Sequence, residues 1–166
     1  RPGEIMFGLN MIVSKGKTIF IGDTSVHEYP SSEQLAEIAI SSARVVRLFG
    51  FNPKVAFVSH STFGQPLTSR TKHIKNAVDI LKQKDVDFKF DGDMQPDVAL
   101  NNKYKELYPF SEIVGNANIL IMPGQHSAAI SYKMMRELGG AKVIGPLLIG
   151  LGQPIEIAPL RSSTSD

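Results

Sequence analysis

The feature that most constrains the fold of this chain is the alternation of short apolar runs with stretches of helical periodicity. The apolar runs have the length and composition of strands and cover residues 5–13, 18–21, 55–58, 88–90, 119–122, 146–149 and 155–157, with a hairpin turn at 14–17. Helical spacing follows a capping box at 31–34 and recurs over 69–84, near 98–100 and over 127–138. Strands that alternate with helices form a mainly parallel sheet covered on both faces. We therefore predict one three-layer α/β domain.

The stretch 54–64 is where such a sheet would present a ligand. The apolar run 55–58 gives way to the hydroxyl residues Ser59, Ser61 and Thr62, and Gly64 follows. The carboxyl ends of parallel strands bind small anionic or nucleotide-like ligands, and glycine lets the backbone approach a ligand closely. Alternatively, these hydroxyls only form turns and a helix cap. The run by itself leaves both interpretations open.

Composition excludes several classes of function. A hydrophobic content of 42% and a charged content of 20% are ordinary for a globular domain. The formal net charge of +2 is spread thinly along the chain, which argues against nucleic acid or a membrane surface as a partner. The absence of cysteine excludes disulfides, a thiol nucleophile and cysteine metal sites. No run approaches the ~20 apolar residues that cross a bilayer, and we expect a cytoplasmic protein.

The two ends of the chain indicate a segment of a longer polypeptide. The sequence starts at Arg1 without a methionine, enters an apolar run at residue 5 and stops at Asp166, where a helix could begin. We expect residues 1–166 to be one part of a larger protein.

The histidines do not have the spacing of a metal site. They lie far apart, at positions 27, 60, 73 and 126, so no two share a helical turn. His60 and His126 each follow a predicted strand and can meet at one edge of the sheet. A Ser–His arrangement would then use Ser59, Ser61 or Ser127. We favour the alternative, in which both histidines are structural.

An acidic group at Asp91, Asp93 and Asp97 has two interpretations. Three carboxylates within seven residues suit acid–base chemistry or a metal. The pair Asp91-Gly92 is equally typical of a turn, with Asp97 near a helix start. We favour the turn.

Five blocks of sequence together resemble the phosphate acetyl/butyryl transferase family, in order and at appropriate spacing. They are SHSTFG at 59–64, DGDMQPDVALN at 91–101, NANILIMP at 116–123, YK at 132–133 and GPLLIGLGQP at 145–154. The resemblance implies a doubly covered α/β sheet related to the isocitrate and isopropylmalate dehydrogenases. It also implies coenzyme A chemistry in a cleft between two lobes and a protein that is at least a dimer. This chain would supply about the C-terminal half of such a domain.

The chain departs from that family where catalysis is expected. After the block that ends at 154, catalytic members carry a Ser-Arg pair and then a supporting Asp; this sequence has Pro159, Leu160 and, at the Asp position, Asp166. Proline has no hydroxyl, and leucine cannot neutralise phosphate or a developing negative charge. A local misalignment would instead make Arg161 the anchor. We expect no catalytic residue in this segment.

Two further departures concern ligand binding. The family lysine of the 59–64 block is Phe63 here, and a family arginine that contacts coenzyme A aligns with Glu137, with Arg136 one residue earlier. The resemblance still implies an acyl-CoA or phosphate site, without a metal. Its expected residues are Ser59, Ser61, Thr62, Gly64 and Arg136.

These departures, with FIGDTSVHE at 20–28 and LYPF at 107–110, are most similar to the transacetylase-like C-terminal domain of large bacterial NADP-dependent malic enzymes. That resemblance implies an N-terminal malic enzyme half in the same polypeptide, which uses NADP and Mg or Mn. The present segment would bind no cofactor of its own. It would sense acetyl-CoA or a related acyl-CoA and hold the oligomer together. The alternative is a competent phosphate acetyl/butyryltransferase that moves an acyl group between coenzyme A and phosphate.

Overall fold

The computed structural model describes residues 4–152 and 155–156, which form one mixed sheet with helices on both faces. The strands are β1 Phe7–Ser14, β2 Lys17–Gly22, β3 Lys54–Val58, β4 Lys89–Met94, β5 Ile119–Ile121, β6 Lys142–Ile149 and β7 Ile155–Glu156. The helices are α1 Ser32–Leu48, α2 Ser69–Lys82, α3 Pro96–Leu100 and α4 Gln125–Gly139, and a 3₁₀ helix spans Asn102–Leu107.

The sheet order is β4-β3-β5-β2-β1-β6-β7. The first four strands in this order pair in parallel, whereas β1 pairs antiparallel with both of its neighbours, β2 and β6, and β7 pairs antiparallel with β6. All described strands except β1 and β7 therefore share one direction, so the predicted mainly parallel sheet is confirmed. The hairpin predicted at 14–17 joins β1 to β2.

Alternate side chains of the strands belong to two separate cores. Val55 and Phe57 of β3 pack with residues of α1 and α2 on one face. Ala56 and Val58 pack with residues of α3 and α4 on the other face. A strand that is apolar on both sides is typical of a sheet with helices on both faces. The three-layer prediction is confirmed.

Helix α1 begins at the capping box that the sequence predicts, and α2 begins at a second reciprocal cap. At the start of α1, the backbone N–H of Gln34 donates to Ser31 Oγ at 3.1 Å, and Gln34 Oε1 accepts from the backbone N–H of Ser31 at 2.7 Å. Thr68 and Thr71 form the equivalent reciprocal cap of α2. Such caps satisfy N–H groups that have no partner inside the helix. They fix where α1 and α2 enter the fold.

The predicted turn at Asp91-Gly92 is wrong, because β4 continues through both residues as far as Met94. Gly92 pairs with Phe57 of the adjacent strand. A Cβ atom at position 92 would lie 2.7 Å from Phe57 Cβ, and the φ angle of Gly92 is +153°. Glycine is therefore required here by the close approach of two strands and by backbone conformation. Asp97 does lie in the first turn of a helix, as predicted.

Some element boundaries also differ from prediction. The strand expected at 146–149 begins at Lys142, and the helix expected over 127–138 spans Gln125–Gly139. Pro159, Leu160, Arg161 and Asp166 lie outside the described residues, so the expectations placed on them stay predictions. Within the described ranges, no helix is long and apolar enough to cross a membrane.

Candidate ligand-binding cleft

An open cleft of about 880 Å³ lies at the carboxyl ends of β3 and β5. That volume is in the range of ligand pockets, roughly 300–1,000 Å³. Its lining comprises Tyr29, Pro30, Ser31, Val58, Ser59, His60, Ser69, Arg70, His73, Ile74, Pro96, Met122, Pro123, Gly124, His126 and Ser127. The cleft is therefore at the sheet edge where the sequence places a ligand.

Three helices of eight or more residues begin at this cleft. Ser31 caps α1, Ser69 is the first residue of α2, and Gly124 precedes α4. The N-terminal end of a helix carries a partial positive charge and unpaired N–H groups, which favour anions. The first turn of α1 contains Glu33, whereas the first turns of α2 and α4 contain no acidic residue that would neutralise this charge. The cleft is thus electrostatically suited to a negatively charged group.

The side chains that line the cleft include one cation and three histidines. His60, Arg70, His73 and His126 line it, and the described lining residues include no Asp or Glu. One carboxylate approaches from outside, because Glu28 Oε1 lies 2.7 Å from His126 Nε2. An anionic ligand would meet hydrogen-bond donors and the Arg70 guanidinium here rather than like charge.

His73 has a structural role. Its Nε2 lies 2.7 Å from the carbonyl oxygen of Pro30, and its Nδ1 lies 3.0 Å from Ser32 Oγ, whose hydroxyl donates to the His73 carbonyl oxygen at 2.9 Å. These bonds fasten the start of α1 to α2.

The backbone N–H of Glu33, the Ser31 hydroxyl and the charge of His73 hold the pKa of Glu33 below its usual value.

The hydroxyls of the predicted site are mostly used inside the loop at residues 59–65, which we call the hydroxyl loop. Ser61 is fully buried, and its hydroxyl donates to a carboxylate oxygen of Asp93. The backbone N–H of Gly64 donates to Asp93 Oδ1 at 2.9 Å. Thr62 Oγ1 accepts from the backbone N–H of Gln95 at 3.2 Å. Of the four expected loop residues, only Ser59 lines the cleft.

This geometry favours the structural interpretation for Ser61 and Thr62, while ligand binding by the expected set stays a prediction. The buried Asp93 side chain serves as the acceptor that holds the hydroxyl loop to the end of β4. This role has no local signal in the sequence, because Asp93 is 32 residues from Ser61. The role becomes apparent once β3 and β4 are known to be neighbouring strands, because their carboxyl ends then lie side by side.

His60 and His126 border the same cleft, which confirms that they meet at one sheet edge. Neither forms a hydrogen bond to a serine hydroxyl within the part of the chain that the structure describes. A nucleophilic Ser–His pair is therefore not assembled among these residues.

Arg136 is not brought to the cleft. It lies ten residues beyond His126 on the same helix, which corresponds to about 15 Å at 1.5 Å per residue. Its Nε donates to Glu137 Oε1 at 2.8 Å. The cation that the structure does place in the cleft is Arg70. Arg70 has no distinguishing signal in the sequence, because it has the pattern of an ordinary exposed residue in the first turn of α2.

The replacement of the family lysine by Phe63 has a structural correlate. The Phe63 ring packs against Phe110 and Tyr108, with centroid distances of 4.8 and 5.4 Å. Residue 63 thus contributes to an aromatic cluster and supplies no charge beside the hydroxyl loop. No group of three or more acidic, histidine or cysteine side chains that could hold a metal ion occurs in residues 4–152 and 155–156.

Comparison with known proteins extends the match to the whole chain. A family model described as phosphate acetyl/butaryl transferase matches residues 1–166. The chain belongs to this family. The resemblance that the five sequence blocks indicate is therefore confirmed.

Individual relatives fall into two groups. An NADP-dependent malic enzyme of Rhizobium meliloti is 45% identical over 166 residues, which are 100% of this chain and 22% of that protein. A phosphate acetyltransferase of Bacillus subtilis is 36% identical over 146 residues, which are 87% of this chain and 45% of that protein. The chain thus spans about a fifth of the malic enzyme and under half of the phosphate acetyltransferase.

Solved structures confirm the fold class. The EutD phosphotransacetylase from Staphylococcus aureus superposes with a TM-score of 0.91 at 30% identity. The superposition covers 98% of this chain and 51% of that one. A phosphotransacetylase from Streptococcus pyogenes gives a TM-score of 0.85 at 29% identity.

Proposed function

We propose that this chain is an acyl-CoA-sensing and oligomerisation domain of an NADP-dependent malic enzyme. The observation that carries the proposal is the cleft, which has helix N-termini and basic side chains around it and no acidic residue in its described lining. Acyl-CoA is a polyanion, so its phosphate groups suit such a surface. The cleft also lies where the family is expected to bind coenzyme A.

The similarity to malic enzymes supports the choice of parent protein. The chain is 45% identical to the Rhizobium meliloti enzyme and 37% identical to that of Salmonella typhimurium, and covers 22% and 21% of their lengths. The parent would oxidatively decarboxylate malate to pyruvate and CO2. NADP and Mg or Mn would bind to its N-terminal catalytic half, outside the present chain.

The segment itself is proposed to be non-catalytic. Pro159 and Leu160 stand where the family pattern expects a serine and an arginine. Phe63 stands where the family pattern has a lysine, and its ring packs against Tyr108 and Phe110 instead of supplying a charge. The competing function is phosphate-dependent acyl transfer, which the 36% identity to the Bacillus subtilis phosphate acetyltransferase favours.

Helix α4 supports the proposed assembly into at least a dimer. Ile130, Met134 and Leu138 lie four residues apart on one face and are 58%, 55% and 83% exposed. Ala128 is the only buried residue among the described residues of α4. An exposed apolar stripe of this kind is typical of a face that another surface covers. A second copy of the chain would cover it symmetrically.

Sensing requires that acyl-CoA bind one quaternary state better than another, because only a difference in affinity shifts such an equilibrium. The test uses the parent malic enzyme and measures malate oxidation against acetyl-CoA concentration. We expect acetyl-CoA to change turnover, and His60→Glu to weaken that response by placing a carboxylate in the cleft.

Lys72→Glu is the matched control, because Lys72 is exposed on α2 and does not line the cleft. Its response to acetyl-CoA should equal that of the wild type. An unchanged response in His60→Glu would place the effector site elsewhere. A wild-type enzyme that is indifferent to acetyl-CoA would refute the sensing function.

A further inference from the structure

The arginines of the described chain differ in their partners. Arg44, Arg47 and Arg136 each contact a carboxylate, at 2.9, 2.9 and 2.8 Å. Arg70 lines the cleft and has neither an ion pair nor a hydrogen-bond acceptor among the described residues. It is the one described arginine whose guanidinium is available to a ligand.

The position of Arg70 is electrostatically unfavourable in the absence of a ligand. It is the second residue of α2, whose first turn contains no acidic side chain. Cations are stabilising near the C-terminal end of a helix, whereas the partial positive charge of the N-terminal end repels them. A bound anion would reverse this effect, since it would be attracted by the guanidinium and by the helix at once. Binding sites often retain groups that cost stability in the free protein.

We propose that Arg70 anchors the phosphate groups of acyl-CoA in the cleft, which His60 and His126 also line. This inference rests on the proposed function and specifies which end of the ligand the cleft recognises. A guanidinium binds phosphate oxygens in a bidentate manner, whereas the acyl and pantetheine parts of the ligand carry no negative charge. The recognised chemistry is therefore the phosphorylated nucleotide end.

The position of Arg70 also bears on the basic groups that the family pattern expects and this chain lacks. The expected basic groups are absent at Phe63 and Leu160, and Arg136 is about 15 Å along α4 from the cleft. Arg70 provides a positive charge inside the cleft from a different element, the start of α2.

The test measures ligand affinity by calorimetry on the parent protein. Two ligands are compared, acetyl-CoA and acetyl-pantetheine, which lacks the nucleotide phosphates. Arg70→Gln should weaken acetyl-CoA binding roughly ten- to a hundredfold, as expected for loss of hydrogen bonds to a charged group. Its affinity for acetyl-pantetheine should equal that of the wild type. Arg70→Lys should recover part of the loss, because the charge returns without the bidentate geometry.

Lys72→Gln serves as the control, since it removes one positive charge from the same helix outside the cleft. It should leave both affinities unchanged. Thermal unfolding provides a second measurement: removing a cation from a helix N-terminus should leave the melting temperature of Arg70→Gln equal to or above that of the wild type. A lower melting temperature would assign Arg70 a structural role instead.

Different results would refute the phosphate anchor at Arg70 and the acyl-CoA-sensing function. If the wild type binds acetyl-CoA and Arg70→Gln binds it equally well, the phosphate anchor is refuted while the sensing function stands. An equal loss for acetyl-CoA and acetyl-pantetheine also refutes the anchor. If the wild type binds no acetyl-CoA, the sensing function is refuted and the anchor with it.

Discussion

Replacing Asp93 by alanine is expected to release the hydroxyl loop from the end of β4. The Asp93 carboxylate is buried and accepts from the Ser61 hydroxyl and from the backbone N–H of Gly64. Asp93→Ala removes both acceptors at once. A buried donor left without an acceptor costs about 1–3 kcal/mol, so losing the acceptor of both donors should cost about 2–6 kcal/mol. Relief from burying a carboxylate offsets part of this, which favours the lower half of the range.

Urea-induced unfolding of the wild type and Asp93→Ala measures this loss. A double-mutant cycle with Ser61→Ala then isolates the contact between the two side chains. We expect the two substitutions to be non-additive by about 0.5–3 kcal/mol, as for residues in direct contact. Asp79→Ala is the control: Asp79 forms an exposed ion pair with Lys75, and pairs of this kind contribute about 0–1 kcal/mol.

Two results would refute this reasoning. The first is an Asp93→Ala variant whose stability lies within about 0.5 kcal/mol of the wild type, which is the effect of an ordinary surface substitution. The second is strict additivity with Ser61→Ala, which would mean that the two side chains do not interact in solution.

Three further predictions test the sheet, the first turn of α1 and the assembly. Gly92→Ala should lower the free energy of unfolding by about 1–3 kcal/mol, because its Cβ would lie 2.7 Å from Phe57 Cβ; urea unfolding measures it. The lowered pKa of Glu33 means that this carboxylate stabilises the fold at pH values above its usual 4.5, and that the stabilisation is lost as the pH falls through the lowered value. Glu33→Gln should therefore be less stable than the wild type at neutral pH and equal to it in strong acid, by thermal unfolding across pH. Met134→Glu places a charge on the exposed stripe of α4 and should lower the molar mass measured by light scattering towards that of a monomer. An unchanged molar mass would exclude this face as the oligomer interface.

The strands and helices could be predicted because their signals are local. The run 55–58 is apolar at every position, as expected for a strand buried on both faces, and the reciprocal bonds between Ser31 and Gln34 follow from a four-residue pattern. The extent of β4 could not be predicted in this way. Its residues Asp91-Gly-Asp93 are typical of a turn, and only pairing with β3 makes them a strand.

The sequence predicted the position of the cleft in the sheet but not all of the residues that line it. The carboxyl ends of parallel strands meet at one edge whatever the strand order, so Ser59, His60 and His126 were expected near one another. Which neighbouring helix contributes a side chain depends on tertiary packing. For that reason Arg70 was missed, and the inward direction of the Ser61 hydroxyl could not be foreseen.

The most direct test of the account is an assay for phosphate-dependent release of free coenzyme A from acetyl-CoA, at a protein concentration where calorimetry shows acetyl-CoA bound. We predict that acetyl-CoA is recovered intact, because Pro159 and Leu160 replace the expected serine and arginine. Release of coenzyme A that requires phosphate and is abolished by Arg161→Ala would contradict it. The chain would then be an acyltransferase whose anchor is Arg161.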